Sequence, residues 1–309
     1  MAAGWRLGPV ESGMMLMAAA MIVAPTVGAM GKWLSGAVSP GEIAWARFVF
    51  QAAFLAPLVA LRWRGVGPHL GLQMLRGVLM AGATLCFFAA VRVLPLADAM
   101  AIFFIEPLVL TLLSAVFLSE PVGWRRVTAA IVGFGGALIV IQPSYRVFGP
   151  ESILPVGSAI CLASYLMLTR RLAVGGDPVM LQFSASIFGS IALSIALIAG
   201  AAFDIDTFRP SWPSTFEWLF LAAMGGIATV SHQLIVHAFR LTRASILAPF
   251  QYLEIISATT LGFLIFSDFP EPTMWLGLAI IVGAGLYVFN RERVIARAAR
   301  LEVEAKAGG

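Results

Sequence analysis

Charge is what this chain has least of. Only 12% of its 309 residues are Asp, Glu, Lys or Arg, against roughly 25% in an ordinary soluble domain. With 60% hydrophobic residues and a mean hydropathy of +0.92, a soluble fold of this length could not hide its apolar surface. Cysteine is scarce too: Cys86 and Cys161 both lie in apolar runs and read as reduced packing residues, silent about redox compartment. Catalytic and nucleotide motifs are missing. There is no GxxxxGK[ST], hence no ATP motor, and "GAMGKW" lacks both the spacing and the hydroxyl. No GxSxG, HExxH or paired CxxC occurs either, so no cofactor or metal is implied. The net charge of +4 does not point to nucleic acid, because the basic residues flank apolar runs.

What is present is apolar sequence in long blocks that do not alternate, which favours helices over a barrel. About 20 apolar residues cross a bilayer, and ten segments qualify: roughly 12–33, 41–61, 71–91, 96–118, 125–142, 153–170, 179–202, 216–239, 244–267 and 273–290. The first is too long for a signal-peptide core and reads as a retained span. "SEPVGWRR", "AVGGDP" and "DIDTFRPSWPS" are loops, and 291–309 is a charged tail, helical or disordered. With a cytoplasmic N-terminus, Arg6, Arg62, Arg64, Arg76, Arg125, Arg126, Arg170, Arg171, Arg240, Arg243 and the tail fall inside. Lys32, Arg92, Arg146 and Arg209 fall outside. The positive-inside rule then puts both termini in the cytoplasm of a bacterial-type inner-membrane protein.

Shifting the chain by 148 residues lays "IEPLVLTLLSAVFLSE" (105–120) over "LEIISATTLGFLIFSD" (253–268). Glu106 meets Glu254, Thr111 meets Thr259, and the loop acids Glu120 and Asp268 coincide. A shorter match sets "GEIAWARF" over "GDPVMLQF". The expected fold is therefore all-α and integral to the membrane, with ten transmembrane helices in two five-helix repeats around a central cavity. The repeats cover 1–143 and 144–290. Five is odd, so the second enters the bilayer inverted, a design in which two halves rock about a midplane site.

The run "AVRVLPLADAMAIFFIEPLVLTLLSAVFLSEPVGWRRVTAAIVGFGGALIVI" resembles the drug/metabolite transporter superfamily, EamA type. Its second-half counterparts are "ASILAPFQYLEIISATTLGFLIFSDFPEP" and "WLGLAIIVGAGLYVF". The likeness covers about 12–290, is a pattern of spacing, and lies nearest the YddG-like amino-acid exporter group. It implies a ten-helix carrier of amino acids or other small metabolites, working in the export direction. It departs from the four-span multidrug members, which carry an essential acid in their first span. This first span has none, so their proton-coupling scheme does not carry over.

Three charges stand deep in spans: Arg47, Glu106 and Glu254. A charge at the bilayer centre costs about 2.5–3.5 kcal/mol on insertion scales, so it faces a partner or water. Either Arg47 pairs with one of the acids and pins helices together, or the three line a pathway. In the second case a carboxylate holds an ammonium and the arginine a carboxylate. Pro107 beside Glu106 predicts a kink at a hydrated cavity, and Pro25 and Pro249 are candidates for the same. Polar stripes extend the set with Gln182, His232 and Gln251. Phe103, Tyr165 and Tyr252 are aromatics that stack on a substrate or cup an ammonium. His232 is a candidate proton carrier or a satisfied interhelical group. Trp5, Trp33, Trp63, Trp124, Trp212 and Trp275 read as interface anchors. Glycines in 133–136 and 283–285 allow close helix contact and offer a homodimer surface. The expected partners are a small-molecule substrate and the lipid bilayer. Uptake of a metabolite, efflux of cationic drugs and a membrane-embedded enzyme are the competing readings.

Overall fold

The computed structural model describes residues 8–62, 69–94, 96–120, 123–141, 152–266 and 272–307. Every regular element among them is helical: α1 Pro9–Leu34, α2 Pro40–Arg62, α3 Leu70–Val93, α4 Leu96–Phe103, α5 Glu106–Phe117, α6 Trp124–Ile141, α7 Ile153–Ala173, α8 Pro178–Ala202, α9 Thr215–Leu241, α10 Ala244–Leu247, α11 Leu253–Phe266 and α12 Pro272–Ala307. Helix starts carry ordinary capping chemistry. The Asp177 carboxylate accepts from the Val179 and Met180 N–H groups ahead of α8, with Pro178 at its first position. Ser214 and Glu217 form a reciprocal capping box for α9.

Among the described residues six helices are long and apolar enough to cross a membrane: α1, α2 through Leu61, α3, α7, α8 and α9. Glu106–Phe117 and Trp275–Arg291 are shorter apolar helices. Their outward faces carry bare aliphatics such as Ile22, Leu112, Ile195, Ile198 and Leu276. Polar surface here would be a liability in lipid, so these faces belong to a membrane protein.

Two expected spans are not continuous. The segment expected over 96–118 splits into α4 and α5, with Phe104 and Ile105 between them. The reason is local. Pro107 offers no N–H and its ring collides with the carbonyl of residue i−4, which is Phe103, the last residue of α4. The segment expected over 244–267 splits likewise. α10 lasts four residues, a 3₁₀ turn covers Ala248–Tyr252 around Pro249, and α11 resumes at Leu253. Pro25 does not break α1. Its i−4 carbonyl, on Met21, instead accepts the Ser257 hydroxyl of α11 at 2.8 Å. A neighbouring helix thus satisfies the group that proline frees. The tail expected from 291 is no separate segment: α12 runs on through Ala307, over a stretch of Ala, Arg, Glu and Leu free of Gly and Pro. The junction expected at 143/144 and the 148-shift partner Asp268 lie outside the described residues.

Packing partners fall into matched pairs. α1 packs on α9 as α3 packs on α7; α2 meets α9 as α3 meets α8; α1 lies on α11 as α7 lies on α5; α2 packs on α8, and α6 on α12. Direction follows from contacts at the ends. Gly13 of α1 abuts Thr242 just past α9, while Trp33 stacks 4.9 Å from Phe220 near the start of α9. Arg76 bonds Thr169 and Ala83 bonds Ser158, so α3 and α7 are antiparallel as well. Gly225 of α9 has no room for a methyl group. A Cβ there would sit 2.5 Å from Phe50 and 3.3 Å from the Arg47 carbonyl, so this glycine lets α9 press against α2 beside Arg47.

Candidate functional site

A cavity of about 810 Å³ lies between α1, α2, α3, α4, α7, α9 and the 3₁₀ turn ahead of α11. This is the range of small-molecule sites. Its mouth is at Lys32 and Trp33, both exposed, where α1 ends. Trp33, expected as an interface anchor, is thus a mouth residue packed on Phe216 and Phe220. The wall is mostly apolar: Met21, Met80 and Met100, with Phe87, Phe88 and Phe103. The Phe87 and Phe103 rings meet edge to face at 5.4 Å.

Of the residues expected from sequence, Arg47, Phe103, His232, Gln251 and Glu254 line this cavity. Arg47 has no carboxylate within ion-pairing distance among the described residues. Its Nη1 donates to the Thr84 hydroxyl at 2.7 Å, and its Nη2 meets His232 Nε2 at 3.2 Å. Its Nε is buried without a partner. Glu254 reaches the wall from the first turn of α11. Its carboxylate accepts no hydrogen bond from the described residues. Gln251 lines the cavity too, and its amide donates to Glu106 Oε1 at 3.4 Å.

The other four expected residues stand behind the wall. Glu106 is 1% exposed and reaches the cavity only through Gln251. Tyr252 packs its ring on Gly133 and beside Phe104, and its hydroxyl finds no partner. Tyr165 and Gln182 bond each other at 3.2 Å. They belong to a cluster built on a residue absent from the expected set. Arg76, counted among the flanking charges, is fully buried. It donates to Thr169, the Leu181 carbonyl, Tyr165 and Gln182, and its guanidinium lies 4.7 Å from the Tyr165 ring centre. The spacing 76, 80, 84, 87, 88 on α3 puts Arg76, Met80, Thr84 and two phenylalanines on one face, and that stripe was the available signal.

A second polar cluster lies outside the cavity lining, around Glu120. Glu120 accepts from the Ala244 and Ser245 N–H groups, the Ser245 hydroxyl and Arg170 Nε. Arg126 also reaches Ser245. Four helix ends are joined there, those of α5, α6, α7 and α10.

The model of the EamA-like transporter family matches residues 11–142 and again 150–290. The S-adenosylmethionine uptake transporter of Rickettsia bellii is 26% identical over 266 residues, 85% of this chain and 88% of that one. The riboflavin transporter of Vibrio cholerae is 29% identical over 226 residues, 72% of this chain and 71% of that one. The pseudopaline exporter of Pseudomonas aeruginosa is 27% identical over 282 residues, 89% of this chain and 94% of that one. A crystal structure at 20% identity superposes with a TM-score of 0.73 over 89% of this chain and 96% of its own, a likeness of fold. Matched in both of its halves, the chain belongs to the EamA-like transporter family and is a membrane transporter of small molecules.

Proposed function

We propose that the protein exports small amphipathic metabolites, amino acids foremost, across the inner membrane by alternating access. The observation that carries this reading is the cavity itself. It is metabolite-sized, mostly apolar, and edged by a carboxylate and a guanidinium that are not paired with each other. An amphipathic molecule with charged ends suits such a wall. In this reading Arg47, Phe103, His232, Gln251 and Glu254 contact the substrate. Glu106, Tyr165, Gln182 and Tyr252 support them from behind. The two halves are inverted five-helix repeats. The pairwise exchange of packing partners supports this, as does the placement of both breaks: Glu106 opens α5 and Glu254 stands at the second residue of α11, 148 positions on. The end that gathers Arg126, Arg170 and Arg243 faces the cytoplasm with both termini, so the cavity faces outward.

The test is flux without nucleotide. Purified protein in liposomes is expected to exchange a labelled amino acid in counterflow. Overexpression is expected to lower internal pools and protect cells from toxic amino-acid analogues. Absence of any counterflow across a metabolite panel sinks the reading. Uptake is the second reading, favoured by the Rickettsia relatives named for it. It predicts raised internal pools instead.

A further inference from the structure

Arg47 is held in a way that leaves part of it unused. A guanidinium carries five N–H groups and no acceptor. Thr84 and His232 take one from each terminal nitrogen, while the Nε–H has no hydrogen-bond partner among the described residues. Its two partners bring no negative charge. Thr84 is neutral, and its own hydroxyl hydrogen goes to the Met80 carbonyl. His232 is fixed by donor logic. Arg47 Nη2 can only donate, so Nε2 accepts. Nδ1 lies 3.0 Å from the Ala228 carbonyl, which can only accept, so Nδ1 carries the proton. His232 is therefore neutral in this arrangement. A buried cation without a counterion is costly in a membrane, and this one stands in the wall of a cavity.

We propose that Arg47, Thr84 and neutral His232 form the seat for a single carboxylate of the transported molecule. The proposal rests on the transport reading and gives it a chemical class. Two coplanar oxygens match a guanidinium edge, and each terminal nitrogen keeps one N–H beyond its bond to Thr84 or His232. A monoanion fits better than a phosphate dianion, because Glu254 in the same wall opposes further negative charge. His232 is a positioning residue: its lone pair holds Nη2 and so fixes the plane of the guanidinium in the cavity wall.

The test begins without any assumed substrate. In a Cys86→Ser, Cys161→Ser background, Met80→Cys places a thiol in the wall one helical turn from Thr84. An anionic sulfonate-bearing thiosulfonate is expected to modify it at least about tenfold faster than a trimethylammonium one. Butyrate is expected to protect the thiol, and butyramide is not. Arg47→Gln abolishes both the bias and the protection, while Arg47→Lys keeps the bias. A bias for the cationic reagent in the Arg47-containing protein, or equal protection by acid and amide, overturns the seat. The second arm uses liposome counterflow of L-methionine against L-methioninamide. The acid alone is expected to move. His232→Leu raises KM about tenfold with a smaller change in kcat, and His232→Gln, which still presents an acceptor, recovers part of that loss. Equal flux of acid and amide overturns the seat. Charge bias with no flux of either leaves the seat standing and overturns the amino-acid reading.

Discussion

Among the described residues two arginines are buried in this bundle, Arg47 and Arg76, and they are used differently. Arg76 is joined to three side-chain oxygens and one carbonyl, supplied by α7 and α8. Arg47 has two neutral partners, an idle Nε and a cavity beside it. Burial alone would rank them equal. Their remaining hydrogen-bonding capacity separates a strut from a group free to meet a ligand. The acids divide in the same way. Glu106 is enclosed behind Gln251, whereas Glu254 stands in the wall with no hydrogen-bonded partner among the described residues.

The largest effect expected from this contrast is on stability. Arg76→Met leaves a buried hydroxyl pair, an amide oxygen and a carbonyl short of a donor, at a cost of about 1–3 kcal/mol for each group left unsatisfied. Arg47→Met disturbs two neutral hydrogen-bond partners and the contact with the Phe48 ring while removing a buried charge, so it is expected to change stability by no more than about 1 kcal/mol. Thermal unfolding and monodisperse yield of both variants in one lipid nanodisc give the comparison directly. Equal loss from both would erase the distinction. For flux the order reverses: the folded Arg47 variant is expected to lose transport, and any folded fraction of the Arg76 variant to retain it.

The acids sharpen the same contrast at a smaller scale. Glu254→Ala is expected to cut flux by about tenfold or more, with folded yield close to that of the parent. Glu106→Ala is also expected to lower flux more than yield, but by a smaller factor, since it reaches the cavity only through Gln251. Equal loss of flux and yield in both variants would assign the two carboxylates to packing.

In the second polar cluster, Glu120 uses both oxygens on protein donors, as Arg76 uses its nitrogens. Glu120→Ala removes acceptors from the first N–H groups of α10 and from Arg170, and is expected to cost about 1–3 kcal/mol. If this cluster holds its end of the bundle shut, a cysteine at Thr169 becomes reactive to a membrane-impermeant thiol reagent from that side in the variant and stays protected in the parent. Unchanged protection would make the cluster a local cap.

The sequence made the helices legible because hydropathy in blocks of about 20 residues is a one-dimensional property, and ten apolar segments reappear as helices or broken helices. It also marked Pro107 as a disturbance, because a missing N–H needs no tertiary knowledge. Arg76 was illegible for the opposite reason. Six residues into its helix, it reads as a charge near a membrane face. Only Thr169, Leu181, Tyr165 and Gln182, brought from 89 to 106 residues away, make it a buried strut. Gln251 and Glu254 are three residues apart, the spacing of one helical face, yet the 3₁₀ turn ends at Tyr252 between them. Both still reach the cavity, by geometry that a helical wheel does not contain.

The smallest expected effect tests the idea of used and unused capacity on the backbone itself. Pro25 deprives the Met21 carbonyl of its helical donor, and the Ser257 hydroxyl supplies one from α11. Ser257→Ala in the parent is expected to cost about 0.6 kcal/mol, a typical interhelical hydrogen bond in a membrane protein. In a Pro25→Ala background the Met21 carbonyl regains an N–H from its own helix, so the same Ser257→Ala is expected to cost close to nothing. The double-mutant cycle then closes with a coupling about equal to the single bond. Full additivity would mean that the serine bond does not compensate for the proline, and that α1 tolerates Pro25 through water in the adjoining cavity instead.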